Sequence, residues 1–177
     1  AATVTALPGD EIDAANGAQV LVKTLASGAS ADFDAAGDLT IDSDTASLTD
    51  LRVDFGSANA TLTLTDTLGT AANAATDLTL VGSGTVTVAG TAAESLQDID
   101  ASGASGAVTM MTANAPTALT SYDGSSGIDT LTIDGVDTSA TITLNGGNDD
   151  FVSNHAAGTV VVNGGAGTDS YDFAGAG

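Results

Sequence analysis

The sequence predicts an all-β chain wound as a parallel β-helix or β-roll solenoid with glycine- and aspartate-rich turns. Three observations predict it. Thr, Val, Ile and Leu alternate in many short runs, the period of strands and not of helices. The 22 glycines punctuate those runs as turn residues. Toward the C-terminal end a strand, turn, strand, turn unit recurs every 20 residues, and so short a unit buries its apolar face only against stacked copies of itself. Large core residues are scarce, with no Trp, four Phe, two Tyr and two Met, so the core must be narrow.

The elements follow in order. Residues 1–37 contain "LPGDEIDAANG" and "AQVLVKTL" without a clear period, and are read as a cap or a preceding coil. From 38 to 123 the vocabulary is regular but the spacing is not: "DLTID" (38–42), "ATLTLTD" (60–66), "DLTLVGSGTVTVAG" (77–90), "SLQDIDASGASGAVTMM" (95–111) and "ALTSYDGSSG" (118–127). Each is a short strand bounded by Gly, Ala, Asp or Ser, as expected of an irregular solenoid; a separate small β-sandwich is the alternative. From 124 to 177 the repeat tightens. "GSSGIDTLT" from Gly124, "LNGGNDDFV" from Leu144 and "GGAGTDSYD" from Gly164 align Gly127, Gly147 and Gly167, then Asp129, Asp149 and Asp169, then Leu131, Phe151 and Tyr171. Between them "ATITLN" (140–145) and "GTVVVN" (158–163) supply the second strand of each period. The closing "DFAGAG" reads as the opening of another turn, so the repeats are expected to continue in a longer parent.

Charge narrows the partners. Against 23 acidic residues stand only Lys23 and Arg52, a formal net charge of -21. Nucleic acid binding relies on clustered Lys and Arg and is excluded; an anionic membrane is disfavoured for the same reason. Such an excess of carboxylate pushes the compact state apart, so bound cations are expected to offset it. Cysteine is absent and His155 is the one imidazole, which leaves oxygen ligands. No run approaches the roughly 18 to 20 apolar residues of a membrane span.

The turn "GGAGTDSYD" matches the nonapeptide G-G-x-G-x-D-x-U-x, a calcium-binding β-helix repeat in which U is a large apolar residue. Gly164, Gly165 and Gly167 permit positive φ and expose carbonyl oxygens, Asp169 adds a carboxylate, and Tyr171 turns inward to anchor the next strand. Calcium takes about six to eight oxygen ligands, more than one turn supplies, but two turns stacked at about 4.8 Å can share an ion. The candidate metal residues are therefore Asp129, Asp149 and Asp169 with Gly124, Gly127, Gly147, Gly164, Gly165 and Gly167, holding two interlayer Ca2+ ions along one edge. Without cations, carboxylates about 4.8 Å apart repel by about 1 kcal/mol per pair in water. Ser125 replaces a glycine in the first turn, and Leu144 and Asn145 replace two in the middle one. On the opposite edge "DGVDTS" (134–139) is a half match and "SNHAAG" (153–158) has no acid.

On these turns the chain resembles the RTX (repeat-in-toxin) calcium-binding β-roll proteins. The phrases "SLQDIDASGASGAVTM" and "ALTSYDGSSGIDTLTI" are similar to those of calcium-dependent bacterial surface-layer proteins. The resemblance implies type I secretion of an unfolded chain, folding in extracellular calcium, and self-assembly on the bacterial cell surface. The expectation is a structural surface-layer or extracellular matrix component whose partners are copies of itself, with contact to cell-surface polysaccharide through further regions and no membrane insertion. The alternative is a calcium-folded spacer or binding module of a type I secreted adhesin or exoenzyme.

No catalytic constellation stands out, and no enzyme activity is expected. His155 has no Ser, Cys or acidic partner at a recognisable spacing and reads as a solvent-facing turn residue. A carbohydrate site would want basic and aromatic residues, and both are rare. Asp98, Asp100 and Asp123 lack the glycine spacing and read as solvated turn acids. Asp149 and Asp150 should point to opposite sides, Met110 and Met111 likewise, and Tyr122 should be core or rim. Asn59 heads an "NAT" sequon, a weak match.

Overall fold

The computed structural model describes residues 2–4, 11–14, 17–22, 29–43, 48–65, 75–91, 95–110, 117–134, 139–154 and 159–173. Met111 and His155 lie outside them. Strands alternate between two sheets. One sheet runs β1 (Ala2–Val4), β3 (Ala18–Val22), β5 (Leu39–Ser43), β7 (Ala60–Thr65), β9 (Val86–Ala89), β11 (Val108–Met110), β13 (Thr130–Asp134), β15 (Asp150–Asn154) and β17 (Ser170–Phe173). The other runs β2 (Glu11–Ala14), β4 (Ala29–Ala35), β6 (Leu48–Asp54), β8 (Asp77–Val81), β10 (Asp98–Asp100), β12 (Ser121–Asp123), β14 (Ala140–Thr143) and β16 (Val160–Asn163). Every pairing is parallel and joins a strand to the next but one in sequence. The chain is thus a parallel β-solenoid in which each coil gives one strand to each sheet. The strands from residues 1–37 belong to these same two sheets.

The alternation seen in the sequence decides which residues face inward. β7 and β8 read buried, half-buried, buried along their length. Stacked coils place like residues over one another, so Leu39, Leu62, Val88, Met110, Leu131 and Phe151 form one inward column. Leu51, Leu78, Ile99, Tyr122 and Ile142 form a facing column in the other sheet. A one-residue slip would turn every rung of such a column to solvent, which is why the apolar period locks the register. Asp149 is buried and Asp150 exposed, as that alternation requires.

The outer face of the second sheet is acidic. Asp50, Asp77 and Asp98 stand opposite one another on β6, β8 and β10. Arg52 is held between Asp32 (2.7 Å) and Asp54 (3.5 Å) on that face. These groups are more than a third exposed, so the pairs contribute little stability.

Candidate metal centre

Three turns link the second sheet to the first at one edge: 124–129 after β12, 144–149 after β14 and 164–169 after β16. The pairing of Thr130 with Asp150 and Asp150 with Ser170 stacks Asp129, Asp149 and Asp169 directly over one another. The same column continues upstream through Val108, Val86 and Ala60, all buried and apolar. The interior position that packs hydrocarbon in the irregular coils therefore packs carboxylate in the regular ones.

Each carboxylate reaches back to the preceding coil. The Asp149 N–H donates to Asp169 Oδ1 (3.2 Å), the Asp129 N–H donates to Asp149 Oδ1 (2.8 Å), and the Val108 N–H donates to Asp129 Oδ1 (3.1 Å). The column is a ladder of backbone amides bonded to side-chain carboxylates, which offsets part of the repulsion expected of three stacked acids.

Beyond that shared bond the three sites differ. Asp129 is fully buried and accepts three more bonds, from Ser125 Oγ (2.6 Å) on Oδ1 and from the Ser125 N–H (2.8 Å) and Tyr122 hydroxyl (3.2 Å) on Oδ2. Asp169, in the last turn, receives the Tyr171 hydroxyl at 3.5 Å. Asp149 is 1 % exposed, and its Oδ2 has no partner at all. The register explains this. In the middle coil Ile142 occupies the column of Tyr122, and Phe151 that of Tyr171, so neither column supplies a hydroxyl. Burial pushes the Asp129 carboxyl above its ordinary pKa against the pull of its hydrogen bonds. Burial raises Asp149 as well, reinforced by the neighbouring charges of Asp129 and Asp169.

The glycines divide into two uses. Gly165 and Gly167 have positive φ (82° and 146°), and the next coil up gives the Gly165 conformation to Asn145 (φ 66°), whose side-chain amide bonds Asp123 Oδ1 (2.8 Å) and the Gly124 carbonyl (2.7 Å). Gly164 does not adopt positive φ and serves instead by its size, since a Cβ there would overlap Asp169 Oδ2 and the Tyr171 hydroxyl. Gly124 leaves the same room for Asp129 Oδ2. A Cβ on Gly147 would overlap the Gly127 carbonyl oxygen, and one on Gly167 the Gly147 carbonyl oxygen. The carbonyls of Gly127 and Gly147 thus point along the stack from one turn toward the next.

Oxygen is the only ligand chemistry in this stack. Among the described residues no three His, Cys, Asp or Glu side chains come together as a metal cluster, so a cation would draw on carbonyls as well as carboxylates. That mixture, with a buried carboxylate oxygen that accepts nothing, suits a hard cation such as calcium. Asp98, Asp100 and Asp123 are not turn acids: they lie on exposed faces of β10 and β12. Asp98 is bonded by Ser121 Oγ (2.6 Å) and Thr120 Oγ1 (2.9 Å), which hold its carboxyl below the ordinary range. Sequence reasoning missed Tyr122 and Ser125 as partners of Asp129; their signal was a tyrosine seven and a serine four residues before the aspartate. The chain matches no protein-family model, no curated protein and no solved structure.

Proposed function

We propose that this chain is a structural rod of the bacterial cell surface that binds calcium in its stacked glycine turns and assembles with copies of itself. The observation that carries the reading is Asp149 Oδ2, buried without a hydrogen bond in a stack of turns in which the Gly127 and Gly147 carbonyls point from one turn toward the next. An isolated buried carboxylate oxygen is costly, and a cation is the partner this oxygen lacks. Asp149 and Asp169 would hold the ion with help from turn carbonyls, and bound calcium would supply the positive charge that the column needs. The residues of the turn contribute the rest: Gly164 leaves room for Asp169, Asn145 holds Asp123 and the Gly124 carbonyl, and the amide ladder keeps the carboxylates in line.

The resemblance to RTX and surface-layer proteins supports type I secretion and an extracellular location, and the -21 charge supports a need for cations before rods approach one another. Circular dichroism of the full chain in EGTA and then in millimolar calcium tests the site. Calcium is expected to increase the β signal and raise the melting temperature. An unchanged signal and an unchanged melting temperature would refute the calcium reading.

A further inference from the structure

We propose that the aspartate column is not a uniform run of metal sites: Asp129 is a hydrogen-bonded anchor that carries no cation, and the cation layer begins at the unpartnered Oδ2 of Asp149. The inference rests on the calcium reading for its second half only.

Asp129 is saturated by the protein itself. Four donors converge on its two oxygens: Val108 N–H and Ser125 Oγ on Oδ1, Ser125 N–H and Tyr122 hydroxyl on Oδ2. A carboxylate offers about four acceptor positions, so a cation could bind only by displacing buried bonds. Asp149, 20 residues on, uses one oxygen for the ladder and none of the other. The substitution pattern has the same sense. Ser125 stands where the third turn has Gly165, and its hydroxyl and amide take one acceptor position on each oxygen of Asp129.

The position explains the need for an anchor. Immediately upstream the column is Val108, Val86 and Ala60, packed as hydrocarbon. Asp129 is the first carboxylate stacked on that wall, and below it only the Val108 N–H is offered, with no acid to share an ion. A first rung paired with hydroxyls and amides joins the apolar coils to the charged ones without a cation. The apolar part of the rod then presents a finished, metal-independent edge on which the next turn, and its ion, can form.

The test measures the melting temperature of the full chain as a function of calcium concentration, because the slope against log calcium counts ions taken up on folding. For Asp129→Asn, Val108 N–H and Ser125 N–H approach different oxygens, so an amide leaves one of them without an acceptor. The expected result is a melting temperature lower by about 5 °C at every calcium concentration with an unchanged slope. Asp149→Asn should reduce the slope instead. A reduced slope for Asp129→Asn, or no loss of melting temperature, overturns the anchor. Should Asp129→Asn not fold, Tyr122→Phe removes one donor and carries the same expectation and the same refutation. A wild-type chain with no calcium slope refutes the calcium reading alone; the anchor is then judged by whether Asp129→Asn and Tyr122→Phe still lower the melting temperature.

Discussion

At the scale of single residues, the turns show why small size matters as much as backbone freedom. Gly164 is held at an ordinary φ, and its lack of a side chain leaves the space that Asp169 Oδ2 and the Tyr171 hydroxyl occupy, whereas the middle turn has Leu144 at this position and no tyrosine hydroxyl beside it. Gly164→Ala should therefore displace the Asp169 carboxylate and weaken calcium binding about tenfold or more, a loss that isothermal titration would read; tenfold corresponds to about 1.4 kcal/mol. Asp169→Ala should weaken binding more than Asp100→Ala, since Asp100 is an exposed strand residue whose carboxylate is bonded by Ser102 N–H (2.9 Å) and Oγ (2.6 Å) two residues on. Equal losses in the two variants would place the ion elsewhere. That Asp169 sits in a glycine turn was legible in the sequence from glycine spacing; that Asp100 lies on a strand was not, and neither was the role of Gly164, because it depends on a tyrosine hydroxyl that the fold returns to the turn.

At the scale of the element, the two buried carboxyls of the stack, Asp129 and Asp149, shift in the same direction. Burial raises the carboxyls of Asp129 and Asp149 above 3.8, so the folded state holds these protons more tightly than the unfolded chain does. Their contribution is therefore fully present below about pH 3.8 and is lost as pH rises through the raised values. Asp98 has the opposite sign: its carboxyl is lowered by Ser121, and its contribution is lost as pH falls through the lowered value. The two windows do not overlap. In EGTA the melting temperature should fall as pH rises from about 4 toward about 7, and calcium should flatten that fall, as differential scanning calorimetry at a series of pH values would show. A melting temperature that rises over the same range in EGTA would mean that the column is not desolvated.

On the scale of the whole molecule, charge governs how chains approach one another. The -21 charge and the acidic outer face of the second sheet, where Asp50, Asp77 and Asp98 stand in one row, hold rods apart until cations are bound. Calcium should therefore convert dispersed chains into sheets or filaments, visible by negative-stain microscopy and light scattering. Magnesium should substitute poorly, since it demands tighter octahedral geometry and dehydrates reluctantly. Assembly to the same extent in magnesium would point to simple charge screening, and dispersed monomers at saturating calcium would favour the spacer or adhesin-module reading of the same site.

What the sequence determined by itself is the solenoid and its regular edge. Period-two alternation selects the inward face of every strand, and a glycine-x-aspartate step every 20 residues sets the coil length where the repeat is strict; both are local signals that survive without knowing what lies opposite. Upstream the coils lengthen, with Val86 paired 26 residues after Ala60 and Val108 a further 22 on, and no fixed spacing announces that Ala60, Val86 and Val108 share a column with three aspartates. Only the tertiary structure decided that. The partners of each carboxylate come from the adjacent coil, from its own turn or from a flanking strand, so the aspartate at the same place in the repeat is saturated at 129 and left with a bare oxygen at 149. The physical reason is that hydrogen-bond satisfaction depends on which side chains the stacking places across the interior, and at Asp149 those places are taken by Ile142 and Phe151 instead of tyrosines.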